Sequence, residues 1–229
     1  MVELLEIVTI DGPAGSGKST ISKQLAASLQ YTYLDTGAMY RAVAYCCHTA
    51  LIDPEETEAV AFLLKDIEIQ LQPPPEGFGD VLVLVNGKSV GELIRTSEMG
   101  MLASRVSAQA PVRKYLTGLQ QQMGAAGNVV AEGRDTGTVV FPGAAWKFYL
   151  DARPEVRMER RADQLRNQGH AVNEQELLDQ IVQRDKDDSE RVLAPLMQAE
   201  DAVYIDSTEL NVEEVLKQMV SWIKSNPVT

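Results

Sequence analysis

Residues 12–19 read Gly-Pro-Ala-Gly-Ser-Gly-Lys-Ser, the spacing G-x-x-x-x-G-K-[ST]. Glycines at this spacing let the backbone turn with positive φ, so that successive N–H groups converge on phosphate oxygens. The N-terminus of a following helix adds its partial positive charge. In a loop made of Gly12, Pro13, Ala14, Gly15, Ser16, Gly17, Lys18, Ser19 and Thr20, Lys18 would reach the β and γ phosphates of a nucleoside triphosphate. The Ser19 hydroxyl would ligate magnesium. The motif has this meaning only between a strand and a helix, and the flanks supply both. Leu4 to Ile10 reads as a buried strand, and Ile21, Leu25 and Leu29 are spaced for one face of a helix from about Lys18 to Leu29.

The second chemical signal is arginine. Twelve of the 21 basic residues are Arg, and all lie between Arg41 and Arg191. Guanidinium forks suit bidentate recognition of phosphate, whereas the net charge of −12 argues against a nucleic-acid or anionic-membrane surface. Local positive charge within an acidic chain points to small anionic ligands. Asp35 or Thr36 is placed to cap a helix, with Arg41 about a turn later; the same spacing also serves a plain cap and a surface Arg. Asn128 to Asp135 is an apolar strand ending in Glu132-Gly133-Arg134-Asp135, and ligands of open α/β sheets sit beyond such strand ends. Arg157, Arg160 and Arg161 share one helix face by their spacing, answered either by Glu155 and Glu159 or by phosphate.

These residues need a scaffold that brings distant segments together. Short strands are predicted at Tyr31–Leu34, Trp146–Leu150 and Ala202–Ile205, alternating with helices, as in a parallel α/β sheet. Between about 66 and 91 the pattern alternates with period two around an Asn86-Gly87 turn and the Pro73-Pro74-Pro75 loop, a compact antiparallel insertion. Helices are predicted at Ser97–Val106, carrying Ser104, and at Pro111–Met123, carrying Arg113. The break at Asn167-Gln168-Gly169-His170 divides two charged helices, a candidate lid whose second arm ends near Arg184, Asp188 and Arg191. An amphipathic helix from Val212 to Ile223 closes the chain.

Taken together, Gly12 to Thr20, Asp35-Thr36-Gly37-Ala38-Met39-Tyr40-Arg41, Ile94-Arg95-Thr96, Gly133-Arg134-Asp135 with Gly137-Thr138-Val139-Val140, and Arg184-Asp185 with Asp188-Ser189, Arg191 and Pro195-Leu196 resemble bacterial cytidylate kinases. The resemblance covers nearly the whole chain, in order. It implies an α/β nucleoside monophosphate kinase fold: a parallel sheet core flanked by helices, a small antiparallel β insertion and a helical lid. It implies one kinase domain, with core 1–35, 107–152 and 192–229, a monophosphate-binding region 36–106 and a lid of about 153–191. The implied reaction transfers the γ phosphate of ATP, with Mg2+, to CMP or dCMP. Thr36, Arg41 and Arg134 would surround the monophosphate, Ser104, Arg113 and Asp135 would read cytosine, and Arg184 and Asp188 would address the sugar. Arg157, on the ATP side, and Arg160, Arg161 and Arg191 would close over the phosphates, with Lys18, Arg134 and these arginines stabilising the transferring group. Two positions depart from the family pattern: Glu132 stands where Asp is usual, and Ala14 where some relatives carry Ser.

At 229 residues and 45% hydrophobic content the chain is expected to bury its own core as a monomer. Cys46 and Cys47 are adjacent in an apolar run and read as reduced core residues; with no leader or membrane span read in the sequence, a cytoplasmic location is expected. His48 and His170 are not proposed as metal ligands. Two other readings remain: a metabolite kinase with Asp35 as base, and a nucleotide-dependent switch, for which the arginine-rich segments have no purpose.

Overall fold

The structure is a computed structural model that describes residues 5–72 and 80–228. The Pro73–Pro75 loop lies outside the described residues. Five strands form a parallel sheet in the order β2-β6-β1-β7-β8: β1 (Leu5–Asp11), β2 (Thr32–Asp35), β6 (Val129–Gly133), β7 (Ala144–Asp151) and β8 (Val203–Asp206). Side chains alternate faces along β1 and β6, so the sheet feeds two cores. Ile7, Val129 and Ala131 face one, packed under α2 (Thr36–Thr49), α4 (Ser97–Ser107) and α5 (Ala110–Gly124). Val8, Ile10 and Val130 face the other, under α1 (Lys18–Leu29) and α8 (Val212–Ser225). A short helix α3 (Thr57–Leu63), separated from α2 by the turn around Leu51 and Pro54, completes the first layer.

The insertion is a three-stranded antiparallel sheet, β3 (Ile69–Gln72), β4 (Leu82–Val85) and β5 (Lys88–Ser89). Asn86 and Gly87 have φ of 49° and 75°, as a two-residue hairpin turn requires, and Asn86 Oδ1 accepts from the Glu68 backbone N–H at 2.7 Å. Ile69, Val83, Val85 and Val90 pack into the same core as β6 and α5, so the insertion shares its apolar support with the main sheet. The helices α6 (Pro154–Asn167) and α7 (Glu174–Glu190) have a small core of their own, Met158, Ala162 and Ile181.

Where β1 ends, Gly12 takes φ 149° and approaches β7 so closely that a Cβ would stand 2.0 Å from the Leu150 carbonyl oxygen. Only glycine fits there. The preceding residue, Asp11, is buried and accepts from the Thr136 backbone N–H at 2.9 Å, the Thr136 hydroxyl at 2.7 Å and the Gly137 backbone N–H at 2.7 Å. Those groups open a π-helical turn, Thr136–Val140, that follows β6. The carboxylate of one strand end thus anchors the chain leaving the next. Asp11→Ala would leave these donors without an acceptor, and should lower the free energy of unfolding in urea by about 3–5 kcal/mol. An unchanged midpoint would show that the turn holds itself.

Candidate active site

The phosphate loop joins β1 to α1, with Gly17 at φ 96° forming the N-cap of α1. Lys18 is buried, its ammonium donating to the Pro13 carbonyl at 2.5 Å and to the Ser16 hydroxyl at 3.3 Å. Burial, with the neighbouring charge of Arg134, pulls its pKa down to about 7. At the next residue, the Ser19 hydroxyl donates to Glu132 Oε2 at 3.0 Å, and the Tyr33 hydroxyl donates to Glu132 Oε1. Burial, then the nearby Asp35 carboxylate, raises the Glu132 pKa. The Thr36 hydroxyl donates to the Glu132 carbonyl at 2.6 Å, so the ends of β6 and β2 and the first turn of α1 meet at one residue.

Ser19 and Glu132 together fit a magnesium ion. Both present hard oxygen donors on one side of the loop. Among the described residues no group of three or more His, Cys, Asp or Glu gathers as a metal cage. Magnesium suits such a sparse set, because it takes most of its octahedral shell from substrate phosphates and water.

Beyond Thr36 lies a crowd of guanidiniums. Asp35 accepts from the Ala38 backbone N–H at 2.8 Å, capping α2, and pairs with Arg41 at 3.2 Å. Arg134 donates to Asp188 at 2.8 Å and to the Gly133 carbonyl at 3.1 Å. Arg41 Nε and Arg184 Nε are buried with no hydrogen-bond partner among the described residues. Burial, then repulsion from Arg134, lowers the Arg184 pKa to about 10, and burial followed by Arg41 lowers that of Arg161. Burial works against Arg134 too, but Asp188 carries it above the ordinary guanidinium value. Lys18, Arg41, Arg134, Arg161 and Arg184 are thus near enough for their charges to act on one another, and Arg41 Nε and Arg184 Nε are the donors among them left without a partner among the described residues.

A second group lies beside the first. Arg113 and Asp135 form a buried ion pair, and Arg113 also donates to the Ser107 carbonyl at 3.0 Å while its guanidinium carbon lies 5.6 Å from the centre of the Tyr40 ring. The Ser104 hydroxyl donates to Asp188 at 3.5 Å. Arg191 comes to this group, 3.5 Å from Asp188 and 3.7 Å from Asp135.

The arginines of α6 part company. Arg157 turns inward, donating to the carbonyls of Ala152 at 2.8 Å and Ala14 at 3.1 Å and pairing with Asp185 at 2.6 Å. Arg160 donates to the Ser207 carbonyl at 2.6 Å and hydroxyl at 3.1 Å, while Arg161 donates to Gln164. Among the described residues neither Glu155 nor Glu159 pairs with them. Sequence reasoning gave no role to Asp11, Tyr33, Ser107 or Ser207, and it named Asp185 only as part of the Arg184-Asp185 block. Of these only Ser107 carried a spacing signal, one helical turn after Ser104.

The family model for cytidylate kinase matches residues 8–225. The chain belongs to the cytidylate kinase family. It is 47% identical over 214 residues to the cytidylate kinase of Syntrophotalea carbinolica, covering 93% of this chain and 90% of the relative. With that of Fervidobacterium nodosum it shares 45% over 217 residues, 95% of each chain. It also matches a bifunctional pantoate ligase/cytidylate kinase of Prochlorococcus marinus at 46% over 215 residues, 93% of this chain and 44% of that protein. Among solved structures, a shikimate kinase from Bacteroides thetaiotaomicron superposes with a TM-score of 0.50 at 15% identity, covering 96% of this chain and 99% of that one, a likeness of fold.

A polyphosphate beside Lys18 would restore the ammonium that burial suppresses. At pH 8.5 free Lys18 is mostly neutral, so binding a non-hydrolysable ATP analogue should take up close to one proton, and affinity should weaken as pH rises above 7. Calorimetry in buffers of different ionisation enthalpy reads the uptake directly. It should vanish at pH 6 and in Lys18→Met; equal enthalpies across buffers at pH 8.5 would exclude a neutral Lys18.

Proposed function

We propose that the chain transfers the γ phosphate of ATP to CMP or dCMP, giving CDP or dCDP and ADP, as a step of pyrimidine nucleotide metabolism. The buried Arg113–Asp135 pair at the end of β6, beside the arginine cluster in which Arg41 Nε and Arg184 Nε lack partners among the described residues, carries this reading. An arginine cluster adjoining a buried donor–acceptor pair suits a phosphate monoester that bears a hydrogen-bonding base.

The acceptor oxygen of a monophosphate is already an anion, so no strong base is required. The protein must align two phosphates and offset their repulsion. Thr36, Arg41 and Arg134 hold the monophosphate, and the Arg184 guanidinium reaches the same anion. Lys18 and the backbone N–H groups from Gly12 to Thr20 hold the triphosphate, and Arg161 adds positive charge where the transferring group carries negative charge. Ser19 and Glu132 would hold Mg2+, which when bound neutralises phosphate charge. Arg157 braces the loop through Ala14, and Arg160 braces it through Ser207, whose hydroxyl also contacts the Ser16 carbonyl at 3.3 Å.

Asp135 accepts from the exocyclic amino group of cytosine, and Arg113 and Ser104 donate to ring O2 or N3. Uracil presents a carbonyl oxygen where cytosine has the amino group, and two acceptors repel. Asp188 and Arg184 also face the sugar. In this reading residues 36–106 receive the monophosphate, about 153–191 form the lid, and the enzyme works as a cytoplasmic monomer. No described helix is long and apolar enough to cross a membrane, and Cys46 and Cys47 are buried free thiols.

Initial rates of ADP formation from Mg-ATP should rise strongly with CMP and dCMP, weakly with UMP, and not with AMP or GMP. Stimulation by a purine would remove Asp135 as the selector, and a flat response to all five would remove the reaction. Asp135→Ala should lower kcat/KM for CMP by about 100-fold or more while the KM for ATP stays near its original value. Equal losses for both substrates would count against base reading.

A further inference from the structure

Ser107 sits in the last turn of α4, 5% exposed, between the base-reading pair and the chain that follows the lid. Its hydroxyl donates to the Ser104 carbonyl at 2.7 Å, which turns the oxygen lone pairs toward Arg191. Arg191 Nη1 donates to that oxygen at 3.0 Å, and Arg191 Nε donates to the Ala194 carbonyl at 2.8 Å. With these bonds made, the guanidinium stands 3.7 Å from Asp135 Oδ1, too far for a hydrogen bond but close enough for its charge to act. The other carboxylate oxygen, Oδ2, is taken by Arg113, which is itself held by the Ser107 carbonyl.

We infer that the Ser107 hydroxyl is a positioning group for cytosine selection: it holds Arg191 off Asp135, so that Oδ1 keeps a lone pair for the amino group of the base. This rests on the CMP kinase reading above. A carboxylate offers about four acceptor sites, two on each oxygen, and a guanidinium free to close the remaining distance takes one of those on Oδ1 and competes with the base for that oxygen. Without the hydroxyl, Arg191 loses the bond on Nη1, which also lies 3.5 Å from Asp188, and is free to carry Nη2 onto Asp135. The amino group of cytosine then meets an acceptor already shared with a guanidinium, while the carbonyl of uracil meets a nearer guanidinium donor. Base preference shifts although neither Asp135 nor Arg113 has changed.

The contacts separate cleanly for experiment, because Arg113 uses the backbone carbonyl of Ser107 and Arg191 uses the side chain. Ser107→Ala therefore removes the spacer and keeps the Arg113 bond. It should raise the KM for CMP and lower the ratio of kcat/KM for CMP over UMP by about tenfold, with the KM for ATP unchanged. Ser107→Thr, which restores the hydroxyl, should recover the ratio. In an Arg191→Ala background, Ser107→Ala should have no further effect on the ratio, since the group being spaced is gone.

A parallel fall in rates with CMP and UMP at a constant ratio, or the same ratio change in both backgrounds, would overturn the inference in favour of a packing role. So would a Thr variant that folds, as judged by its melting temperature, and shows the Ala ratio. Failure of the CMP kinase reading would look different: the unmodified protein itself would show no stimulation by CMP.

Discussion

The structure depends on the burial of positive charge at the carboxyl end of its sheet. Lys18, Arg134 and Arg184 are largely withdrawn from water, and such burial costs several kcal/mol per ion unless charges are matched. Asp188 does much of the matching. Arg134, Arg184 and Arg191 hold its carboxyl below the ordinary carboxylate range even though burial pushes the other way. Because Asp188 belongs to α7 and Arg134 to the end of β6, this electrostatic requirement also draws α7 onto the core. The backbone also fastens the segment after α7 to that helix, as Leu196 N–H donates to the Asp188 carbonyl at 2.7 Å. In the proposed function a nucleotide phosphate would meet the same requirement from outside, so that the site and α7 share one charge balance.

Much of the frame was legible because local signals agreed. The loop spacing with the apolar period after it placed α1 at Lys18–Leu29, and the Asn86-Gly87 turn placed the hairpin of the insertion. The Asn167 to His170 break likewise separated α6 from α7. What spacing does not reveal is the environment of a shared helix face. Arg157, Arg160 and Arg161 lie within four residues, yet one is buried against the phosphate loop, one bonds the Ser207 loop and one remains near Arg41. Asp11 was equally hidden, since its partners lie 125 and 126 residues away and nothing beside it in sequence names them.

The two departures from the family pattern have physical accounts. Glu132 brings a carboxylate oxygen to 3.0 Å from the Ser19 hydroxyl, and Tyr33 holds its other oxygen, so the longer side chain is fixed at both ends. Ala14 offers no side-chain donor, but its carbonyl accepts from Arg157 at 3.1 Å, a contact any residue there could make. Position 14 thus serves as a brace through its backbone.

A crystal structure with CMP bound is the most direct test of this arrangement. The account requires an Asp135 oxygen about 2.9 Å from the cytosine amino nitrogen, with the phosphate in bonds to Arg134 and at least one of Arg41 and Arg184. A nucleotide whose base turns away from Asp135, or whose phosphate is held outside that guanidinium cluster, would contradict it.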